Sequence, residues 1–557
     1  MSPSSPSPAT TVYAARKIIT MNPSRPHATH VAVREGRILG VGTLADLAGW
    51  GAHTLDERFA RQVLMPGLVE GHSHLMAGTL WRYTYCGYFD LADPDGRNWP
   101  GAATLDAVVD SLTRSEADSA GQPAAVVGWG FDPIYFGSQR CTRADLDRVS
   151  TVRAVGVLHA SGHILNVNTA ALELAGLNRT GIAHPGIPLG ADGLPTGELK
   201  GPDAMGPLFE PLGLTRSFLS GDETGIRAFG KLAVRAGVTT ATDLAATLSD
   251  GEVDTLLRLT AEASYPVRLV PLLRLIAITP KDAVARAVQL RERNTEQLRL
   301  GRIKVVADGS IQGFSARLRW PGYYNGAPNG LWYTAPETIR ECYALALQHG
   351  VPVHTHTNGD EATDLALDCL EAALRQHPSP DHRFTLQHCQ LADAAQFRRM
   401  RALGMGVNLF ANHHFYWGDQ HRATTVGPER AERMNACRTA RDTGVPYSIH
   451  SDAPITPLGP LFTAWCAVTR LTASGRVLGE GECIPVADAL QAITLGAART
   501  LHLDGEIGSI ECGKRADFCV LDDDPESVPP AQLKDLRVWG TVQGGRVFQA
   551  PATVPQS

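Results

Sequence analysis

Two histidines stand two residues apart at the end of an apolar run, His72 and His74 in LMPGLVEGHSHL. On a strand, residues i and i+2 point to the same side, so the two imidazoles converge on one spot. That is the donor geometry a Zn2+ or similar ion requires. Alone, such a pair also describes two surface or core histidines. Four more residues change the balance: Lys304 in RIKVVADGS, His356 late in VPVHTHTNGD, His388 at the end of RFTLQHC, and Asp452 at the end of VPYSIHSDAP. Each lies in or near the C-terminal half of a separate expected strand. In a (β/α)8 barrel that end of the strands is the catalytic face, and ligand-type residues gathered there describe a metal site.

Other residues have weaker claims. His354 and His450 each lie two residues before a site residue on the same strand face. They read as hydrogen-bonded interior histidines, with support of the ligands from behind as the alternative. NHHFYWGDQH follows the expected strand GMGVNLF, which makes it a barrel-mouth loop, and His413, His414 and Trp417 are candidates to line a substrate pocket. Trp129 and Phe131 in GWGFDP and Trp332 in NGLWY are further candidates, with a place in the core as the alternative. His163 and Asn168 in SGHILNVNTAAL are read as substrate contacts, against a structural loop.

Stepping along the chain, the strands that carry the site alternate with amphipathic helices. RIKVVADG, VPVHTHTNGD, RFTLQHC, GMGVNLF and VPYSIHSDAP interleave with PETIRECYALALQHG, DEATDLALDCLEAALRQH, DAAQFRRMRALG and ACRTARDTG. Buried runs alternating with helices imply βαβ units and a parallel sheet. Gly or His-Gly closes several of the helices, as C-caps do. Both ends have a different texture: TVYAARKIITMNP and THVAVREGRILGVG near the start, GSIECGKRADFCVLDDDP and VWGTVQGGRVFQA near the end, are short β-branched runs around turns. They are expected to pair into one small sheet domain. Between the first barrel strand and the regular alternation, the chain is rich in Gly, Pro and Asp and weakly periodic. It reads as an insertion covering the site.

The chain has 557 residues, too many for one ordinary core. Its 19% charged residues and net charge of −6, with both signs spread along the chain, hold no long basic run. A nucleic-acid groove is therefore not expected, and neither is a membrane span, since no apolar stretch approaches about 18 residues. The polar lead MSPSSPSPATT has no charged start and apolar run, so it reads as disordered rather than as a signal peptide. Ten scattered cysteines without a CxxC pair point to a reduced, cytoplasmic setting with thiols as core fillers.

PGLVEGHSHL, the Lys304 strand, HTNGD, LQHC and HSDAP, in that order, resemble the successive motifs of the amidohydrolase superfamily. KVVADGSIQGFSA, HTNGDEA, HSDAP, SGHILNVNTAAL with DGLPTGEL, and the C-terminal GSIECGKRADFCVLDDDP are similar to its amidohydrolase-3 branch, the YtcJ-like and N-substituted formamide deformylase-like proteins. The resemblance implies a (β/α)8 barrel over residues 65–84 and 219–502, a composite β-sandwich from residues 1–64 and 503–557, and an insertion over 85–218. It also implies roles. His72 and His74 bind the more buried metal, His356 and His388 bind a second, Lys304 bridges the two if carbamylated, and Asp452 ligates and shuttles the proton. A lysine ammonium only donates and repels a cation, so Lys304 serves as a ligand only as neutral amine or carbamate. The alternative is a charged lysine paired with a carboxylate such as Asp308.

The implied activity is hydrolysis of a C–N bond, an amide or N-formyl group of a small, partly apolar or aromatic substrate, by a metal-activated hydroxide. One or two Zn2+ or other divalent ions are expected per chain, and a homodimer is common in the superfamily. A hydrolytic deaminase or cyclic-amide hydrolase on the same site is the nearest alternative, and a non-catalytic metal- or ligand-binding barrel the alternative of another class.

Overall fold

The computed structural model describes residues 9–119, 124–137, 139–214 and 221–551. Most of the Pro/Ser-rich lead lies outside these residues, but Thr10 and Thr11, expected in that lead, already open the first strand. The described residues fall into two compact units. One runs up to His74 and resumes over Ala233–Asp452 and Leu458–Ala550; the other comprises Leu75–Leu232 and Ala453–Pro457.

The first unit contains both chain ends and the alternating region. The ends form one seven-stranded ladder in the order 546–549, 538–543, 518–521, 53–66, 10–19, 27–34, 37–42. N- and C-terminal segments join where Phe518–Leu521 runs antiparallel to Val63–Pro66. Phe59, Leu64, Phe518 and Val520 bury their side chains on this sheet, which is why neither end needs a core of its own. The sandwich expected from the two ends thus takes the form of a single continuous ladder among the described residues.

The alternating region supplies eight parallel strands: β1 (Leu68–Glu70), β2 (Val238–Asp243), β3 (Arg268–Pro271, continued as Leu273–Arg274), β4 (Ile303–Val306), β5 (Val353–Thr357), β6 (Thr385–His388), β7 (Gly406–Leu409) and β8 (Tyr447–Ile449). β1, β2 and the first part of β3 form one ladder, and the second part of β3 leads a six-stranded ladder that ends on β8. This is a TIM-barrel-like α/β arrangement. No ladder joins β8 to β1 among the described residues; beyond the strand ends, the Asp452 N–H donates to the His72 carbonyl at 3.1 Å. The strands are buried on both faces, as a parallel sheet covered by helices must be. The sheet of the ends passes into β1 through Gly67, where an added Cβ would meet Thr239 Oγ1 at 2.0 Å.

The four helices read from the sequence are present at Pro336–Gln348, Asp360–Gln376, Ala394–Leu403 and Cys437–Thr443. Asp393 and Gln396 form a capping box at the third, and Gly404 and Gly444 end the last two in the left-handed conformation.

The second unit is not the irregular segment its composition suggested. It holds a five-stranded sheet in the order 198–200, 164–167, 155–159, 126–131, 84–85. The helix Leu105–Asp118 packs Val108, Val109 and Leu112 with Val126, Val155 and Val157 of the sheet. All ten cysteines are free, and eight are buried. Among the described residues, no helix is long and apolar enough to cross a membrane.

Candidate metal centre

Register places the site. Lys304 pairs with His354, and Val306 with His356, across β4 and β5. His356, Gln387, Asn408 and Ser448 lie in one row across β5 to β8. Strand alternation aims this row, and His354 beneath it, into the barrel. His388 would alternate outward from Gln387, but its φ of +73° turns it back; Asp452, past β8, has φ +56°. Left-handed backbone at a non-glycine residue costs of order 1–3 kcal/mol and gathers at functional sites.

His72, His74 and Asp452 place their ligand atoms within 4.8 Å of one another, and so do His72, His388 and His450. Asp452 Oδ1 lies 3.3 Å from His72 Nε2 and 3.2 Å from His74 Nε2, and Asp452 Oδ2 lies 3.8 Å from His388 Nδ1. The Lys304 amine is 3.4 Å from His72 Nε2. His356 meets the rim of this group through the His388 ring, with centroids 4.5 Å apart. Its Nε2 faces the Gly309 carbonyl at 3.2 Å and the Asn358 amide at 3.1 Å. Asp308, considered as a partner for Lys304, instead accepts backbone N–H groups of Arg317, Asn358 and Gly359, each at 2.9 Å. That role is structural: it ties the loop after β4 to the turn after β5.

A buried network selects the His72 tautomer. The Thr500 carbonyl can only accept, so His354 Nε2, 3.0 Å away, carries the proton. His354 Nδ1 then accepts from the Gln387 amide at 2.7 Å. This turns Gln387 Oε1 toward His72 Nδ1 at 2.7 Å and the Asn408 amide at 2.9 Å, while the Ser448 hydroxyl donates to Asn408 Oδ1 at 2.8 Å. His72 Nδ1 must donate, so Nε2 presents its lone pair to the group. Glu70, fully buried on β1, joins the two ligand segments: it accepts the Ser451 hydroxyl at 2.7 Å and the N–H groups of Ser451 and His72 at 3.2 and 3.3 Å.

Electrostatics follow from burial. Burial, with Lys304, His388 and His450 nearby, holds His72 well below the usual imidazole range, and burial does the same to His388. Lys304 is lowered to about 7, first by burial. Burial works against the charged form of both His74 and Asp452, yet their mutual attraction, with Asp243 beside His74, raises His74 and lowers Asp452. Glu70 is pushed up to about 8, again by burial first.

The chemistry of the group fits a divalent cation. His74 Nδ1, His388 Nδ1, both nitrogens of His450 and Asp452 Oδ1 are buried and make no hydrogen bond. Each neutral imidazole carries one N–H and one lone pair, and lone pairs of nitrogen and carboxylate left unmet in a dry interior are what a cation satisfies.

The remaining sequence candidates fare differently. His413 Nδ1 meets His421 Nε2 at 3.0 Å, and His421 Nδ1 meets the Thr425 hydroxyl at 2.8 Å. His414 bonds the Met434 carbonyl at 2.9 Å and is buried, which makes it part of the loop's framework rather than a pocket wall. Trp417 is buried against His413. Trp332 is half-buried under the Arg317 guanidinium, 4.9 Å from its ring. In the second unit, Asn168 is not a substrate contact: it caps the helix Thr169–Leu174, accepts from Val155 and Ala171, and donates to the Ser150 and Arg153 carbonyls. Every bonding position of its amide is thereby used. Trp129 is core, packed among Trp81, Tyr85 and Leu158, and Phe131 is core as well. His163 stands partly exposed just before the strand Ile164–Val167.

Sequence reasoning passed over Glu70, Asp243 and Gln387. Asp243 closes β2, 3.8 Å from His74, and an acid at the end of a buried strand was the available signal.

The amidohydrolase family model matches residues 62–549. The chain belongs to this family. Membership makes it a metal-dependent hydrolase of carbon–nitrogen bonds. It is 27% identical over 559 residues to the putative amidohydrolase YtcJ of Bacillus subtilis strain 168, covering 95% of this chain and 97% of that one. It is 27% identical over 539 residues to the N-substituted formamide deformylase of Arthrobacter pascens, covering 93% and 94%. Among solved structures, an uncharacterized metal-dependent hydrolase from Pyrococcus horikoshii OT3 shares the fold with a TM-score of 0.71 at 19% identity, covering 94% of this chain and 99% of that chain.

Proposed function

We propose that this amidohydrolase cleaves an amide or N-formyl bond of a small, partly apolar or aromatic substrate. The observation that carries the reading is the gathering of one ligand atom each from His72, His74 and Asp452 within 4.8 Å of one another, beside buried His388 Nδ1 and Asp452 Oδ1 atoms that make no hydrogen bond. The likeness to the N-substituted formamide deformylase along most of both chains supports the N-formyl class.

In this reading His72, His74 and Asp452 hold zinc, with His388, His356 and a carbamylated Lys304 available to a second ion. Burial supports the carbamate, because a lysine lowered to about 7 has neutral amine to react with carbon dioxide near neutral pH. A divalent cation, when bound, acidifies water and polarises the scissile group. Asp452, held as a carboxylate, takes a proton from the attacking water and returns it to the departing nitrogen.

The test is turnover by the zinc- and bicarbonate-supplemented chain on three substrates: an N-formylanilide, a cyclic amide and an amino-substituted heterocycle. Formate release from the first, abolished in Asp452→Asn, is the expected result. Turnover of only the second or third moves the assignment to a cyclic-amide hydrolase or deaminase. No turnover of any by a metal-loaded chain favours a non-catalytic binding barrel.

A further inference from the structure

We propose that His450 is itself a metal ligand, completing with His72 and His388 an all-histidine position beneath the one formed by His72, His74 and Asp452. This rests on the reading that the barrel holds a divalent cation, and extends it to a residue outside the ligand set described above.

His450 is 1% exposed, and neither of its ring nitrogens has a hydrogen-bond partner. This overturns the expectation of a hydrogen-bonded interior histidine. His354 occupies the comparable place, two residues before His356, and both its nitrogens are bonded, one to Gln387 and one to Thr500. The barrel interior therefore does satisfy histidines at this depth when they serve the framework. His450 is the exception, and a buried imidazole with both nitrogens unmet calls for a partner.

The neighbours of His450 identify that partner. Its ring stacks on His72 at 4.7 Å on one side and on Phe410 at 4.8 Å, and it lies 5.0 Å from the His388 ring. His388 Nδ1 is likewise unbonded. Nitrogens of His72, His388 and His450 all lie within 4.8 Å of one another. His72 Nε2, whose Nδ1–H is taken by Gln387, and the neutral rings of His388 and His450, each with one lone pair beside one N–H, bring three lone pairs to one place, which suits a cation.

The sequence has the same logic. His450-Ser-Asp452 repeats the spacing of His72-Ser-His74, and the two segments are adjacent, linked by the hydrogen bond from Asp452 N–H to the His72 carbonyl. Two same-face pairs thus confront each other. His72 belongs to both clusters, but its Nδ1 is engaged by Gln387, so only Nε2 is available. One nitrogen lone pair serves one ion at a time. The two clusters are therefore two positions for one cation, a shallower mixed position and a deeper one of three histidines.

The test strips the full chain of metal and titrates it with Co2+ alone, reading the dissociation constant by chelator competition and the coordination by the visible absorption band. The variants are His450→Phe, which keeps a ring of similar shape without nitrogens, and His450→Gln, which guards against a folding failure of the first. Both are expected to bind Co2+ at least about tenfold more weakly and with an altered band, since even residues behind the ligands shift affinity that far. The stripped His450→Phe chain is expected to melt no lower than the stripped parent, because it loses no hydrogen bond. Parent affinity and an unchanged band in the folded variants would overturn the proposal. Failure of the parent to bind Co2+ would instead overturn the metal-centre reading, and His450 with it.

Discussion

Gln387 Oε1 sits 2.7 Å from His72 Nδ1, and its amide end sits 2.7 Å from His354 Nδ1, so one side chain relays the proton position fixed at His354 by Thr500 to His72. Replacing it by leucine leaves His72, His354 and Asn408 each with an unmet buried group and frees His72 to adopt the other tautomer. Gln387→Leu should weaken zinc binding by about 10- to 100-fold, the range for residues that orient metal-bound histidines. Gln387→Glu still accepts from His72 and Asn408, at the cost of a protonated His354, and should stay within about tenfold of the parent. Zinc retained per chain after dialysis against graded chelator separates the two. Equal retention in Leu and parent would remove Gln387 from the control of His72.

The same network explains what the sequence made legible. The ligand candidates could be read because they lie in, at the end of or just past buried strands, and a polar residue near the end of an apolar run is conspicuous. Alternation found His356 by counting in twos, whereas His72 and His74, expected on a strand, lie past the end of β1 at Glu70. It does not account for His388, whose inward aim comes from a left-handed backbone at +73° that no periodicity announces. Gln387 and Asn408 were hidden for the opposite reason: they lie within the strands, where an amide looks like an interruption of the core until its partners on three other strands are known. Asn168 misled because SGHILNVNTAAL carries a family likeness, while its local chemistry, an Asn before a helix, was that of an N-cap. The second unit escaped because its strands are short and interrupted by Gly and Pro, so its sheet exists only through pairing between distant segments.

Glu70 connects the first and last strands by accepting from His72 N–H, Ser451 N–H and the Ser451 hydroxyl. Glu70→Ala removes the acceptor for all three in a dry interior. The expected loss is at least about 3 kcal/mol, from about 1–3 kcal/mol for each of the three buried groups left unmet. Glu70→Gln keeps one oxygen for the two N–H groups, and its amide can donate to a Ser451 hydroxyl turned the other way, so its loss should stay under about 1 kcal/mol. Urea unfolding midpoints at one pH measure both. An alanine variant as stable as the glutamine one would show that water replaces the carboxylate.

Arg268 on β3 and Asp517, just before the strand Phe518–Leu521, form a buried ion pair at 2.6 Å, with side chains 1% and 4% exposed. Arg268 also donates to Thr240 and the Glu296 carbonyl, and Asp517 accepts from Gly544 N–H. The pair thereby fastens the sheet of the chain ends to the barrel. Breaking it from one side strands the other charge, so Asp517→Leu and Arg268→Met should each cost about 3–5 kcal/mol. The double variant strands neither and should cost clearly less than their sum. A double-mutant cycle on unfolding midpoints gives the coupling, and additive losses would refute the pairing as the fastening element.

Acid should destabilise the fold before its carboxylates titrate, through two buried histidines away from the metal centre. Burial lowers His159 to about 4, against a hydrogen bond donated to the Asn166 amide oxygen that works the other way, and burial lowers His421 to about 3. Both are neutral in the folded chain, whereas in the unfolded chain they take up protons below about 6.5. Above that pH neither state binds the proton and stability is unaffected. Below it the unfolded chain gains protons that the fold refuses, so stability falls as pH falls, until each folded pKa is reached. Full slope is about 1.4 kcal/mol per pH unit for each histidine, so the pair removes on the order of 3 kcal/mol between pH 6.5 and 5. Urea midpoints of the parent and of a His159→Gln, His421→Gln double variant, taken from pH 7.5 to 5, test this directly. The parent should lose stability over the lower half of that range, and the variant should lose about 3 kcal/mol less. Parallel curves would mean that these histidines take up protons without unfolding.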